Sequence, residues 1–153
     1  ARAQPRQRVV ARQSVMLDGR VETADVNLPS PLEDGDTIII RPDPASRLWS
    51  GEIPHPATGP EGWLDASGQP VPAPSGWALP QPAAPLYALL LDATPEPRLI
   101  GNTAHSIVID RQSKARDGLG AGAAVISFRR NDPSFNRAFT WGAFVIEVVV
   151  LRH

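Results

Sequence analysis

The chain has 153 residues, of which 42% are hydrophobic and 20% charged, with a formal net charge of −1 and no cysteine. This balance indicates one globular domain, and the lack of cysteine excludes disulfides, thiol catalysis and cysteine-ligated zinc. The charge is uneven, because residues 1–13 hold four arginines and no acid, whereas the remainder holds 11 basic against 16 acidic residues. We therefore expect a basic N-terminal arm (1–13) and a mildly acidic domain (14–153).

Alternating apolar residues predict a series of short strands. In chain order the candidates are 15–17, 36–41, 87–91, 105–109, 124–129 and 144–150. Both faces of the last candidate are apolar, which predicts a central strand. Helix candidates are poor, because prolines or glycines interrupt every Ala/Leu-rich region. Many short strands separated by turns favour an all-β antiparallel sandwich or barrel.

The middle of the chain has a different composition. From Pro42 to Pro85 it holds eleven prolines together with Trp49, Trp63 and Trp77. A proline cannot donate a hydrogen bond inside a central strand, so most of this region is expected to be loop. Loops of this length are usually functional or disordered, and the tryptophans argue against disorder. We expect a long ordered loop, stiffened by its prolines and pinned by its aromatic rings.

The sequence says little about location. Its apolar stretches are too short to span a bilayer, so no membrane insertion is expected. No signal-peptide core follows the basic start. Arginine outnumbers lysine fourteen to one, which is typical of a GC-rich bacterial genome. The compartment stays open, with the surface of a particle released from such a bacterium as one option.

Short motifs follow one another in a distinctive order. They are a strand with a polar turn at 15–19, strands around Val26 and Leu28, DGDTIII at 34–40, GPEG at 59–62, PAP at 72–74, LIG at 99–101, FRRND at 128–132 and AFTWGAF at 138–144. Over residues 14–150 these motifs resemble the LecA-like family, the PA-I galactophilic lectins and related modules. The resemblance implies a galactose-binding-like β-sandwich, or jelly roll, which agrees with the strand pattern.

The resemblance also implies where a calcium ion would bind, in the loop before the last strand. Asp132 matches the family's aspartate, Asn136 falls where a backbone carbonyl is used, and the two ligand asparagines align with Phe139 and Thr140. Calcium takes about six to eight oxygen ligands, and phenylalanine offers none. Asn131 or Thr140 would have to substitute in part. We favour a simple Asx turn at Asp132 over calcium, and we expect no other cofactor.

Sugar contacts are implied in the loop after GPEG. The family's histidine there aligns with Ala66, which cannot donate a hydrogen bond, whereas Gln69 matches its glutamine. Sugars also stack on aromatic rings, so the tryptophans are candidates, and Trp63 and Trp141 are the preferred ones. Packing of the loop onto the sandwich is the alternative for each. The sugar-site candidates are therefore Trp63, Gln69, Asp132 and Trp141.

Support for catalysis is thin. The sequence has no G-x-S-x-G, H-E-x-x-H or P-loop pattern. His55 lies between two prolines, and His105 lies on an apolar strand face, as expected of a packed or edge histidine. We do not expect an enzyme.

Two functions from different classes remain open. The first is a non-catalytic carbohydrate-binding module that recognises a hexose or a surface polysaccharide. The second is a structural or assembly subunit of a multi-protein particle, such as a phage-like virion, attached through its arm. The arm's arginines suit charge-assisted contacts with an acidic protein neighbour; they are Arg2, Arg6, Arg8 and Arg12. Nucleic acid is disfavoured, because no aromatics are interleaved and the body is acidic.

Overall fold

The computed structural model describes residues 7–50, 57–133 and 140–153. These ranges hold nine strands and one short helix. In chain order the elements are β1 (Arg8–Asp18), β2 (Thr23–Asn27), β3 (Thr37–Pro42), β4 (Arg47–Ser50), β5 (Leu89–Leu91), β6 (Arg98–Leu99), β7 (His105–Val108), α1 (Arg111–Asp117), β8 (Val125–Arg130) and β9 (Thr140–Arg152).

The strands form two antiparallel sheets. In the five-stranded sheet the order is β1-β9-β3-β7, and β4 also pairs with β9. The four-stranded sheet has the order β2-β8-β5-β6. β9 is central, as its two apolar faces predicted, because it pairs with β1 along one edge and with β3 and β4 along the other. The predicted all-β antiparallel sandwich is confirmed.

One hydrophobic core lies between the two sheets. Alternate residues of each strand point inward, as the period-2 pattern requires. The five-stranded sheet contributes Leu17, Ile38, Ile40, Ile107, Phe144, Ile146, Val148 and Val150. The four-stranded sheet contributes Ala24, Val26, Leu89, Leu91, Ile126 and Phe128. Alternate apolar residues of the predicted strands therefore form the core.

The sheet begins earlier than the sequence suggested. Arg8 pairs with Arg152, Gln13 pairs with Val148, and the strand segment between them packs Val10 against the core. The boundary between arm and domain at residue 13 therefore needs correction, since 8–13 is part of the sandwich. The arginines at 8 and 12 lie on the exposed face of β1, and this is why they suggested a free arm. Arg2 and Arg6 lie outside the described residues.

Three further elements were not predicted, and one of them is β6, a two-residue strand that pairs with β5. β4 lies inside the expected long loop and pairs with β9. α1 begins with a capping box, in which Asp110 Oδ1 accepts from Ser113 N at 2.9 Å and Ser113 Oγ accepts from Asp110 N at 2.9 Å. It ends at Gly118, whose φ of 70° closes the helix. The described ranges contain no helix long and apolar enough to cross a membrane.

Candidate functional site

Two tryptophans lie side by side on the surface of the five-stranded sheet. Trp49 of β4 and Trp141 of β9 are direct partners in the antiparallel ladder. Directly opposite residues project from the same face, with Cβ atoms about 5 Å apart. Trp49 is 43% and Trp141 52% exposed, so both indoles meet solvent. We call Trp49 and Trp141 the aromatic platform.

Gly142 sets the geometry of the platform. Its φ is 90°, in the left-handed region that favours glycine. A Cβ built at this position would lie 2.9 Å from both Cε3 and Cζ3 of Trp49, and it would also collide with the carbonyl oxygen of Arg47. The Trp49 ring therefore lies directly against the Gly142 backbone. A larger residue at 142 would displace the ring.

The GPEG turn lies beside β4. Leu48 N donates to Thr58 O at 2.9 Å, and Thr58 N donates to Leu48 O at 2.8 Å, so the chain entering the turn is fixed to β4. The side chains of Arg47 and Glu61 converge on Gly59, where a Cβ would lie 2.8 Å from Arg47 Nη1 and 2.8 Å from Glu61 Oε1. Arg47 shares the outward face of Trp49, two residues away along the strand. A cation beside Trp49 thus lies close to an anion of the GPEG turn.

One carboxylate oxygen of Glu61, Oε2, is buried. This oxygen has no hydrogen-bond partner among the described residues. Glu61 lines a small pocket of about 120 Å³ together with Thr58 and Trp63. A buried carboxylate oxygen without a donor is uncommon in folded proteins, so Glu61 has unused acceptor capacity here.

The preferred tryptophans of the sequence analysis have different environments. Trp141 belongs to the platform, but its ladder partner is Trp49, which the sequence did not single out. Trp63 is half-buried, and its backbone N donates to Leu86 O at 2.8 Å. The sequence signal for Trp49 is the short strand RLWS at 47–50, which the surrounding prolines obscured.

Gln69 closes an exposed turn. Its backbone N donates to Asp65 Oδ1 at 3.0 Å, and Ser67 Oγ donates to the same oxygen at 2.6 Å. These hydrogen bonds, that from the Ser67 side chain first, hold the pKa of Asp65 below its usual value. The turn is ordered by Asp65. The role of Gln69 in sugar binding stays a prediction.

Asp132 is tied to an arginine. It is 4% exposed, and its Oδ2 accepts from Arg130 Nε and Nη2, both at 3.4 Å. Arg130 is 1% exposed, and its Nη1 donates to Asp18 O at 2.9 Å and to Val21 O at 2.8 Å. The guanidinium thus faces an oxygen that a calcium ion would need.

The Asn131 side chain forms its hydrogen bonds with the loop that precedes β5. Its Oδ1 accepts from Gln81 N at 2.9 Å, and its Nδ2 donates to Gln81 O, Ala84 O and Pro85 O at 2.9–3.0 Å. All of its amide hydrogen-bonding capacity goes to the backbone, and the residue is fully buried. Asn131 therefore does not fit the role of a substitute calcium ligand.

The described residues fit a calcium ion poorly. Thr140 is buried at the start of β9, whereas Asn136 lies outside the described residues. Among the residues that the structure describes, no group of three or more histidine, aspartate or glutamate side chains is arranged to hold a metal. The preference for an Asx turn over calcium at Asp132 stays a prediction.

The surroundings of His105 indicate a structural role. His105 lies on β7, the last strand of its sheet, and its Nε2 is 2.7 Å from Ile100 O. This agrees with the packed or edge position expected from the sequence. His55 lies outside the described residues.

Comparisons with known proteins identify the type of fold. A scan against family models found no match, and a search of curated proteins found none either. Among solved structures, the chain is similar to a domain described as "EclA N-terminal domain; PllA-like lectin", with a TM-score of 0.53 and 17% identity. The match covers 93% of this chain and 97% of that one. At this identity the likeness shows the fold, which is a lectin-like β-sandwich.

Proposed function

We propose that the chain is a non-catalytic carbohydrate-binding module and that the aromatic platform is its sugar-binding surface. The observation that carries the proposal is the exposed Trp49–Trp141 pair on a lectin-like sandwich. An indole left in water costs free energy, and exposed apolar patches commonly mark interaction sites. The apolar C–H face of a sugar ring stacks on such an indole and removes both surfaces from water.

Polar groups beside the platform suit the hydroxyls of a sugar. Arg47 Nη1 donates to Ser46 O at 2.9 Å, which fixes the guanidinium and leaves further N–H donors. Glu61 Oε1 lies close to this guanidinium and offers an acceptor. A few placed polar groups beside an apolar surface are the usual means of orienting a small ligand. The platform is open, so it suits a hexose within a surface polysaccharide as well as a single hexose.

The first test is a glycan array, followed by calorimetry on the best ligand. Trp49→Ala and Trp141→Ala should each weaken binding roughly tenfold or more, because each removes an aromatic anchor. Met16→Ala is the matched control, since Met16 is 63% exposed on β1 of the same sheet and lies outside the platform. It should bind normally. If no glycan binds at millimolar concentration, the carbohydrate-binding proposal is wrong.

Calorimetry with calcium and with EDTA separates the platform from a calcium site. Stacking on indoles requires no metal, so the affinity should be the same in both conditions. Loss of binding in EDTA, together with normal binding by both tryptophan variants, would instead place the sugar at a metal site near Asp132.

The assembly alternative stays a prediction. The described part of the predicted arm pairs with β9 of its own chain. Arg8 and Arg12 belong to a strand of the sandwich, and Arg12 Nη1 lies 3.6 Å from Glu147 Oε2.

A further inference from the structure

A second pocket lies away from the platform residues, beside the four-stranded sheet. It has a volume of about 360 Å³ and forms where the loop at 81–84, β6 and the end of α1 meet. This is within the usual range for small-molecule sites, about 300–1,000 Å³. Apolar walls come from Ala83, Ala84, Pro97 and Leu99. None of the lining residues belongs to the platform.

A buried carboxylate organises the polar side of this pocket. The Asp117 side chain is 0% exposed, and its Oδ2 accepts from Arg98 Nη1 at 2.9 Å and from Arg116 Nε at 2.8 Å. One oxygen therefore positions two guanidinium groups from different elements. A guanidinium has five N–H donors, and each arginine spends one of them on this oxygen. The remaining donors are available to an anion in the pocket.

The second oxygen of Asp117 is unsatisfied. Asp117 Oδ1 is buried and has no hydrogen-bond partner among the described residues. Buried carboxylate oxygens normally accept a hydrogen bond, and the described residues provide no donor for this one. Asp117 is one of the residues that line the pocket, so a ligand bound there lies near this carboxylate.

The other polar groups of the pocket narrow the choice of ligand. Gln81 Nε2 donates to Pro97 O at 2.9 Å, and Gln81 Oε1 accepts from Ala83 N at 3.2 Å, so this amide is used within the wall. Glu96 is exposed and also lines the pocket. Its charge disfavours a dianion such as phosphate. A single carboxylate carries one charge on two oxygens and matches the fork of an arginine.

We propose that this pocket binds an acidic sugar, with its carboxylate on Arg98 and Arg116 and a hydroxyl on Asp117 Oδ1. A sugar acid carries both groups on one ring, and its C–H face fits the apolar wall formed by Pro97 and Leu99. The inference rests on the proposed carbohydrate-binding function and adds a class of glycan and a second site.

The test is an NMR titration of the whole chain with three probes. Methyl glucuronide carries the carboxylate and the hydroxyls, methyl glucoside lacks the carboxylate, and cyclohexanecarboxylate lacks the hydroxyls. We expect methyl glucuronide to shift the backbone amide signals of the non-proline residues that line the pocket, which are Gln81, Ala83, Ala84, Glu96, Arg98, Leu99, Arg116 and Asp117. It should bind at least about tenfold more tightly than either other probe, because each loses one set of charge-assisted or buried hydrogen bonds.

Variants assign the binding to the arginine pair. Arg116→Gln should weaken methyl glucuronide about tenfold, and Arg98→Lys should weaken it while keeping the charge beside Asp117. Arg111→Gln is the matched control, because Arg111 is an exposed arginine of the same helix that does not line the pocket. It should bind within about twofold of the unchanged protein.

Several outcomes would overturn the inference. Equal affinity for the glucuronide and the glucoside would remove the role of the arginines, as would normal binding by Arg116→Gln. In that case the Arg98–Asp117–Arg116 cluster only ties α1 to β6. The platform is tested separately: Trp49→Ala should leave methyl glucuronide binding unchanged. Glucuronide binding without any neutral-glycan binding would refute the sugar-binding role of the platform. It would support the binding of an acidic sugar in the pocket.

Discussion

Gly142 shows how a single residue shapes the proposed sugar surface. Its positive φ and its contact with the Trp49 ring both exclude a side chain. Gly122 offers a matched position, since its φ is 94° and a Cβ there would meet nothing within 4 Å. Alanine substitutions at these two glycines separate the free energy of backbone strain from the free energy of steric collision.

Gly142→Ala is expected to destabilise the protein about 2 kcal/mol more than Gly122→Ala. Both variants strain the backbone by roughly 1–2 kcal/mol, but only alanine at 142 collides with Trp49 and with the Arg47 carbonyl. Urea unfolding measures the free energies, and tryptophan fluorescence reports the displaced ring. Equal destabilisation by the two variants would contradict the packing of Trp49 on Gly142.

Asp36 is the residue whose charge couples stability to pH. It is 1% exposed, and its two oxygens accept from Arg152 Nε and Nη2, both at 2.9 Å. The hydrogen bonds from Arg152 hold the pKa of Asp36 below its ordinary value of 3.8. A lowered pKa means that the unfolded chain takes up the proton first as the pH falls. The contribution of Asp36 is therefore complete above about pH 4 and is lost as the pH falls through the lowered pKa.

Asp36→Asn should reduce the free energy of unfolding at pH 7, and the gap from the unchanged protein should narrow as the pH falls below 3.8. Urea unfolding at pH 7, 4 and 2.5 measures this gap. Asp34→Asn is the control, because Asp34 is exposed two residues away, and it should change the free energy by less than about 0.5 kcal/mol. A gap for Asp36→Asn that stays constant across this range would refute the coupling.

At the scale of elements, residues 8–13 of the expected arm belong to β1. Residues 8–13 form ladder pairs with β9, and Val10 and Ala11 pack against the core. The arginines of this segment occupy its exposed positions. A basic composition and a sheet position are thus compatible, because each alternate side chain of an edge strand faces water.

Two truncations isolate this segment. A chain that begins at residue 8 keeps the whole of β1, whereas a chain that begins at residue 14 loses six of its positions. The shorter chain should melt about 10 °C lower, since we expect the lost ladder and packing to cost roughly 3 kcal/mol. Differential scanning calorimetry on both chains measures the difference. Identical melting temperatures would restore the boundary at residue 13.

At the scale of the molecule, the two proposed sites belong to different sheets. The platform is built by β4 and β9 of the five-stranded sheet, whereas the arginine pocket lies against β6 of the four-stranded sheet. Asn131 fixes the loop at 81–85 to the end of β8, and this loop forms one wall of the pocket. Since the sites share no residue, substitutions in one should leave the other unchanged.

The fold class, the core and most of the strands follow from local patterns in the sequence. Period-2 alternation is a local property, so β3, β8 and β9 and their inward residues were readable without any partner. The central position of β9 was readable too, because both of its faces are apolar. β4 and α1 are short, and neighbouring prolines or glycines masked their local signals.

The tertiary structure alone decided which side chains meet. Trp49 and Trp141 are neighbours through the register of β4 on β9, and Arg98 and Arg116 meet on Asp117 because β6 and α1 lie side by side. Register and packing depend on the whole chain, so no local pattern contains these contacts. The buried Asp117 shows this most clearly: in the sequence it is one acid among several basic residues, and only its burial makes it the group that positions two arginines.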